Sequence, residues 1–62
     1  MSSQIVLKYQ LWCFYDTESE WIMEGFFNNK KEADNYAVKL REDIDTPAMS
    51  VWEVVLVNMF YP

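Results

Sequence analysis

QLWCFYD, residues Gln10 to Asp16, sets five apolar side chains in an unbroken run between two polar ones. Successive side chains of a β-strand point to opposite faces, so this run puts apolar surface on both faces of a strand. Read outward to Ile5, the alternation becomes clear. The odd positions Ile5, Leu7, Tyr9, Leu11, Cys13 and Tyr15 are uniformly apolar, while the even positions Val6, Lys8, Gln10, Trp12, Phe14 and Asp16 are mixed. The odd face is expected to meet the core. The even face, with Trp12 and Phe14, needs a second cover.

The rest of the chain supplies one helix and two further strands. DTESE, residues 16–20, reads as a turn, because Asp, Thr and Ser favour local side-chain to backbone bonds. Glu20 to Phe27 is expected to be a second strand hairpinned to the first, with Trp21, Met23 and Phe27 on one face and Ile22 and Phe26 on the other. NNKKEADNYAVKLREDI, residues 28–44, predicts a helix. Asn29 is its N-cap and Glu32 the return arm of a capping box. Ala33, Tyr36, Ala37, Leu40 and Ile44 form one apolar stripe. Leu40 and Tyr36 are expected to be deeply buried against Leu7, Leu11 and Leu56. Pro47 in DTPAMS ends the helix. Ser50 to Tyr61 predicts a last strand, with Trp52, Val54 and Leu56 opposed to Val51, Glu53, Val55, Val57 and Met59.

The order is thus β-β-α-β in a single α+β domain, residues 1–62. A right-handed crossover that skips one strand puts the first strand in the middle. The expected sheet is three-stranded and antiparallel, in the order 2-1-3, with the helix on one face only. The other face then carries Val6, Trp12, Phe14, Val55, Val57 and one side of the second strand, an apolar patch of a kind that monomers rarely leave uncovered.

Composition narrows the chemistry. A chain of 62 residues lies near the lower limit for independent folding, and such domains lean on disulfides, metals, oligomerisation or an unusually efficient core. One cysteine and no histidine argue against a disulfide framework and a structural zinc site. This raises the weight of self-association or an obligate partner. Cys13 has no histidine to activate it and sits mid-strand on the core face, which suits a buried structural thiol better than a nucleophile. Glu24 and Glu53, the acids within apolar runs, read as solvent-facing strand residues. With Gly25 as the single glycine there is no phosphate loop. No catalytic residue, cofactor or metal is expected.

The net charge of −5 argues against a nucleic-acid backbone or an anionic membrane as target. Trp12, Phe14, Trp21 and Phe26 could stack bases on the sheet, but only Lys8 lies nearby to meet phosphates. No apolar run approaches a membrane span. The segment MSSQIVLKYQ lacks the basic region of a secretion signal; with a free cysteine, this favours the cytoplasm. The acids have a solvated surface as their plain reading, yet Lys30 and Lys31 in the first helical turn and Glu42 and Asp43 in the last oppose the helix dipole. The topology gathers Asp16, Glu18, Glu20, Glu42, Asp43 and Asp45 at one end of the domain, an acidic pole suited to a basic protein surface.

GFFNNKKEADNYAVKL followed by VWEVVLV resembles the small β-β-α-β proteins of bacteriophages. In these a strand ends in an aromatic residue, and a capped helix carries a pattern met here by Glu32, Ala33, Tyr36, Ala37 and Leu40. The resemblance implies the same fold. Among such proteins with an assigned activity, inhibitors of host enzymes or defence complexes are common, and some mimic the charge of DNA. The resulting expectation is a small acidic protein-binding module, an inhibitor of a host nucleic-acid-handling or defence complex that uses the acidic pole and the apolar sheet face. The alternative is a homodimeric accessory protein using Trp12, Phe14, Val55 and Val57 for self-association, and the third is a single-stranded RNA binder on the aromatic sheet face.

Overall fold

A computed structural model describes the backbone of residues 4–61 and the side chains of residues 6–59. Strand β1 spans Gln4–Tyr15, β2 Glu20–Phe27 and β3 Met49–Tyr61, and helix α1 spans Lys30–Glu42. The sheet has three strands in the order β2-β1-β3. Both neighbours run antiparallel to β1. This is the β-β-α-β arrangement that the alternation in β1 and the crossover rule lead one to expect. The side chain of Ile5, assigned above to the core face, lies outside the described residues.

The core is small and sits between α1 and the odd-numbered face of β1. Leu11, Cys13, Tyr15, Ala33, Ala37 and Met49 are buried, with Ile22, Phe27, Leu40, Trp52 and Val54 packed around them. The helix meets the sheet through its alanines, whose lack of bulk lets the two backbones approach closely. That corrects the expected depth of Tyr36 and Leu40. Tyr36 is 41% exposed and tilts against Phe27 at 5.4 Å between ring centroids, and Leu40 is only partly buried. Leu7 and Leu56 are more than half exposed. They lie where the helix has not yet begun: β2 ends at Phe27 opposite Tyr9, whereas β1 and β3 stay paired out to Gln4 and Tyr61. Past Tyr9 the sheet narrows to a two-stranded ribbon, and the molecule measures 47 × 21 × 16 Å.

The helix begins at the expected N-cap, but Glu32 returns to the Asn29 side-chain amide rather than to its backbone N–H as a capping box would. The Asn29 side chain accepts from the Glu32 backbone N–H at 2.8 Å and donates to the Glu32 carboxylate at 3.0 Å. It ends two residues earlier than the apolar stripe suggests. Asp43 takes an extended conformation, its N–H returns to Leu40, and its carboxylate accepts from the Asp45 N–H at 2.9 Å. This Asx turn competes with continued helix and leaves Ile44 outside the stripe, 96% exposed. The helix charges are also better compensated than the sequence suggests. Glu32 lies in the first turn, Lys39 and Arg41 lie in the last, and Lys30 pairs with Asp34 at 2.8 Å.

Two irregularities in the ladders reset the strand faces. In β2 the register slips between the partners of Leu11 and Trp12, leaving Glu24 as an extra residue between Met23 and Gly25. A bulge of this kind shifts the alternation by one. Ile22 and Phe27 therefore share the helix side, while Trp21, Met23 and Phe26 share the other, which corrects the grouping expected from simple alternation. The bulge also turns the Glu24 carboxylate to the core side, where it accepts the Tyr15 hydroxyl, so Glu24 is not a solvent-facing residue. In β3 the slip between the partners of Phe14 and Tyr15 leaves Ser50 as the extra residue and sets Met49 opposite Tyr15 in the core.

Candidate functional site

The described residues hold no group of three or more His, Cys, Asp or Glu side chains able to bind a metal, and no pocket. None of their helices is long and apolar enough to cross a membrane. Cys13 is fully buried, and burial, aided by the charge of Glu24, pushes its thiol up to about 11 against a partly opposing bond with Tyr15. The distinctive surfaces are two: the sheet face away from the helix, and the end of the molecule beside the hairpin turn.

Register defines the open face. Trp12 pairs with Met23 on one side and Glu53 on the other; Phe14 pairs with Trp21 and Val51; Gln10 pairs with Phe26 and Val55; Lys8 pairs with Val57 and Val6 with Met59. Paired residues share a face, so all of these side chains lie on the surface that α1 does not cover. The structure brings together Trp12, Phe14, Val55 and Val57 as expected from the sequence and adds Trp21, Met23, Phe26 and Val51. Trp21, Phe26, Val51 and Val55 are each between 38% and 47% exposed. The aromatic residues are organised among themselves. Phe14 and Trp21 meet edge to face at 5.5 Å, a favourable quadrupole arrangement.

The polar atoms of this face are largely paired within it. The Trp12 indole N–H donates to the Gln10 side-chain oxygen at 3.1 Å, and the Lys8 ammonium donates to the Asn28 side-chain oxygen. An indole N–H left without a partner on burial would carry a desolvation penalty, and Gln10 removes it in advance. Glu53 is exposed and is the single acid on the face.

At the other site, the turn of residues 16–19 and the loop of residues 43–48 are joined by the Asp16 N–H donating to the Ala48 carbonyl at 2.8 Å. This brings Asp16, Glu18 and Glu20 to the same end as Glu42, Asp43 and Asp45, and all six are exposed. The remaining acids are placed elsewhere. Glu24 takes the Tyr15 hydroxyl and Glu32 accepts from the Asn29 side-chain amide. Asp34 holds Lys30 and the Trp52 indole, contacts that lower its pKa with Lys30 the larger cause. Lys30–Asp34 is the one salt bridge among the described residues, so none of the six has a basic partner in contact. Arg41, in the adjoining last helical turn, lies instead over the Trp52 ring at 4.8 Å from its centroid, and Lys39 is exposed in the same turn. At the crest of the loop, Ile44 projects between Asp43 and Asp45. Sequence reasoning missed Ile44 because its spacing matched the helix stripe.

Comparison with protein-family models, with curated proteins and with solved structures found no match.

Proposed function

We propose that this chain is a small non-enzymatic protein-binding module that presents its acidic end to a basic protein surface. The supporting observation is the partition of the acids. Those outside the end are engaged within the fold, apart from Glu53, while the six at the end are exposed and unpaired with any base. Like charges gathered at one end repel one another, and a basic partner relieves that repulsion while steering association. Ile44, exposed between Asp43 and Asp45 in the chain, adds an apolar side chain beside the acids, the combination of anchor and charged rim that protein interfaces use. The most concrete form of this reading is an inhibitor that occupies a surface built to grip nucleic-acid phosphates. The open sheet face is a second protein-contact surface, favoured by its cluster of part-exposed aromatic and aliphatic side chains.

The test is capture of partners from a bacterial lysate on the immobilised chain, followed by affinity measurement on what is retained. Binding through the acidic end weakens steeply as salt rises through about 0.1 M, where exposed charges are screened beyond about 10 Å. A variant carrying Glu18→Gln, Glu20→Gln, Glu42→Gln and Asp43→Asn loses it, while Asn at residue 43 keeps the side-chain oxygen of the Asx turn. Unchanged affinity in that variant and no salt dependence would remove the acidic end from the reading.

A further inference from the structure

We propose that the open sheet face packs against the same face of a second copy of this chain, about a twofold axis that crosses the strands at the level of Gln10 and Val55. The inference deepens the reading of that face as a protein-contact surface and rests on it. Its basis is the position of the two charges on the face. Lys8 lies on β1, and Glu53 lies on β3 opposite Trp12. Along β1 the open-face positions run from Val6 to Phe14, so Gln10, paired with Val55, is their midpoint.

Two sheets packed face to face keep their strands roughly aligned, about 10 Å apart. A twofold axis between them can run along the strands or across them. An axis along β1 sets Lys8 against Lys8 of the second copy, a like-charge contact that costs interface stability. An axis across the strands at Gln10 exchanges the level of Lys8 with the level of Trp12 and Glu53. Each Lys8 then stands one strand spacing from the other copy's Glu53, and over the other copy's Trp12 ring, a favourable place for a cation. Glu53, which has no cation in the single copy, gains one, and Lys8, which donates to Asn28 in the single copy, gains an acid; the whole run from Val6 to Phe14 overlaps. On the axis itself Phe26, Gln10 and Val55 meet their own copies, as an isologous interface requires.

Internal pairing agrees with this occupant. The Trp12 indole N–H reaches the interface already bonded to Gln10.

The experiment is sedimentation equilibrium on the wild-type chain and on Trp12→Glu, Lys8→Glu, Glu53→Lys and the Lys8→Glu/Glu53→Lys double variant. Circular dichroism confirms the fold of each. The wild type is expected to sediment at twice its 7.5 kDa, and Trp12→Glu as a monomer. Each single reversal creates like-charge contacts across the twofold and weakens the dimer about tenfold or more; the double reversal restores it. A wild-type monomer at about 0.5 mM, a concentration that detects even weak association, overturns the proposal. So does a double variant no tighter than the singles. Those results leave the protein-contact reading of the face standing if Trp12→Glu abolishes binding of a captured partner. That reading falls separately if Trp12→Glu leaves both self-association and partner capture intact.

Discussion

The hydroxyl of Tyr15 donates to the carboxylate of Glu24 across the β1–β2 ladder, on the core side of the sheet. Tyr15 is 4% exposed, so its hydroxyl depends on partners within the fold, chiefly Glu24, which reaches it because the bulge turns that carboxylate inward. Glu24→Ala strands a buried donor and is expected to cost about 1–3 kcal/mol in urea unfolding. Tyr15→Phe leaves a half-buried carboxylate that water can still reach and costs less. The double variant recovers part of the Glu24→Ala loss. Equal losses in the two single variants would show that the stranded Tyr15 hydroxyl is not what makes Glu24→Ala costly.

The same corner governs behaviour in alkali. Burial raises the Cys13 thiol from 9.0 to about 11, and it raises the Tyr15 hydroxyl from its ordinary 10.0, helped by the bond to Glu24. Both groups become negative on losing a proton, and the folded state holds that proton more tightly than the unfolded chain. Their contribution is therefore complete below about pH 9 and declines as pH rises from 9 toward 11. The limiting slope is about 1.4 kcal/mol per pH unit for each group. Cys13→Ala flattens the decline between pH 9 and 10, leaving the Tyr15 loss above pH 10. Urea unfolding at a series of pH values reads this directly; an unchanged slope in Cys13→Ala would contradict it.

Two backbone positions carry residues opposite to their geometry. Ser19, which closes the hairpin turn, has φ 53, a left-handed conformation that disfavours a side chain. Gly25 has no positive φ, and a Cβ there would meet the Phe27 ring at 3.8 Å, an ordinary contact. Ser19→Gly and Gly25→Ala are each expected to stabilise the fold by roughly 0.4–1 kcal/mol. Thermal unfolding of the two variants and their combination measures it. A loss on Gly25→Ala would show that the bulge needs glycine beside it.

At the helix, close approach through alanine makes bulk unwelcome. Ala37 is fully buried, and Ala37→Leu is expected to lift α1 from the sheet at a cost of about 1–3 kcal/mol. Tyr36→Ala, one position away but 41% exposed, costs less, because it loses mainly the contact with Phe27. Chemical denaturation of both variants settles which side of the helix faces the core.

The Asn29 side chain makes both of its bonds to Glu32, one to the backbone N–H and one to the carboxylate, and Asn29→Ala removes them together. An expected loss of about 0.5–2 kcal/mol follows, and Asn29→Asp retains most of the stability by keeping the acceptor for the Glu32 N–H. Helical circular dichroism during unfolding monitors the effect.

How much was legible in the sequence varied with the element. The odd positions of β1 are apolar throughout while the even ones are mixed, so its faces, its central place and the open patch at Trp12 and Phe14 could be read directly. β2 could not be, because the extra residue at Glu24 exchanges the faces of everything after it, and a bulge leaves no signature in an apolar run. The helix stripe was half right. Ala33 and Ala37 lie on it and are buried, but a period cannot distinguish a small residue that permits contact from a large one that makes it. Tyr36 was therefore placed too deep. Ile44 kept the period by coincidence, since the Asx turn at Asp43 had already ended the helix. The acidic end was legible because it depends only on topology and chain direction.

The central strand finds its second neighbour at the far end of the chain: Tyr15 pairs with Met49, and Gln4 with Tyr61. During synthesis β1 can hairpin with β2 at once, but its other edge waits for everything from Glu20 to β3 to be made. At roughly 5–20 residues per second, that edge stays bare for seconds, beside two apolar faces. This is the interval in which the nascent chain is most open to mispairing with another copy of itself. A late-arriving strand thus makes the molecule's order of assembly, as well as its final packing, a matter of protection.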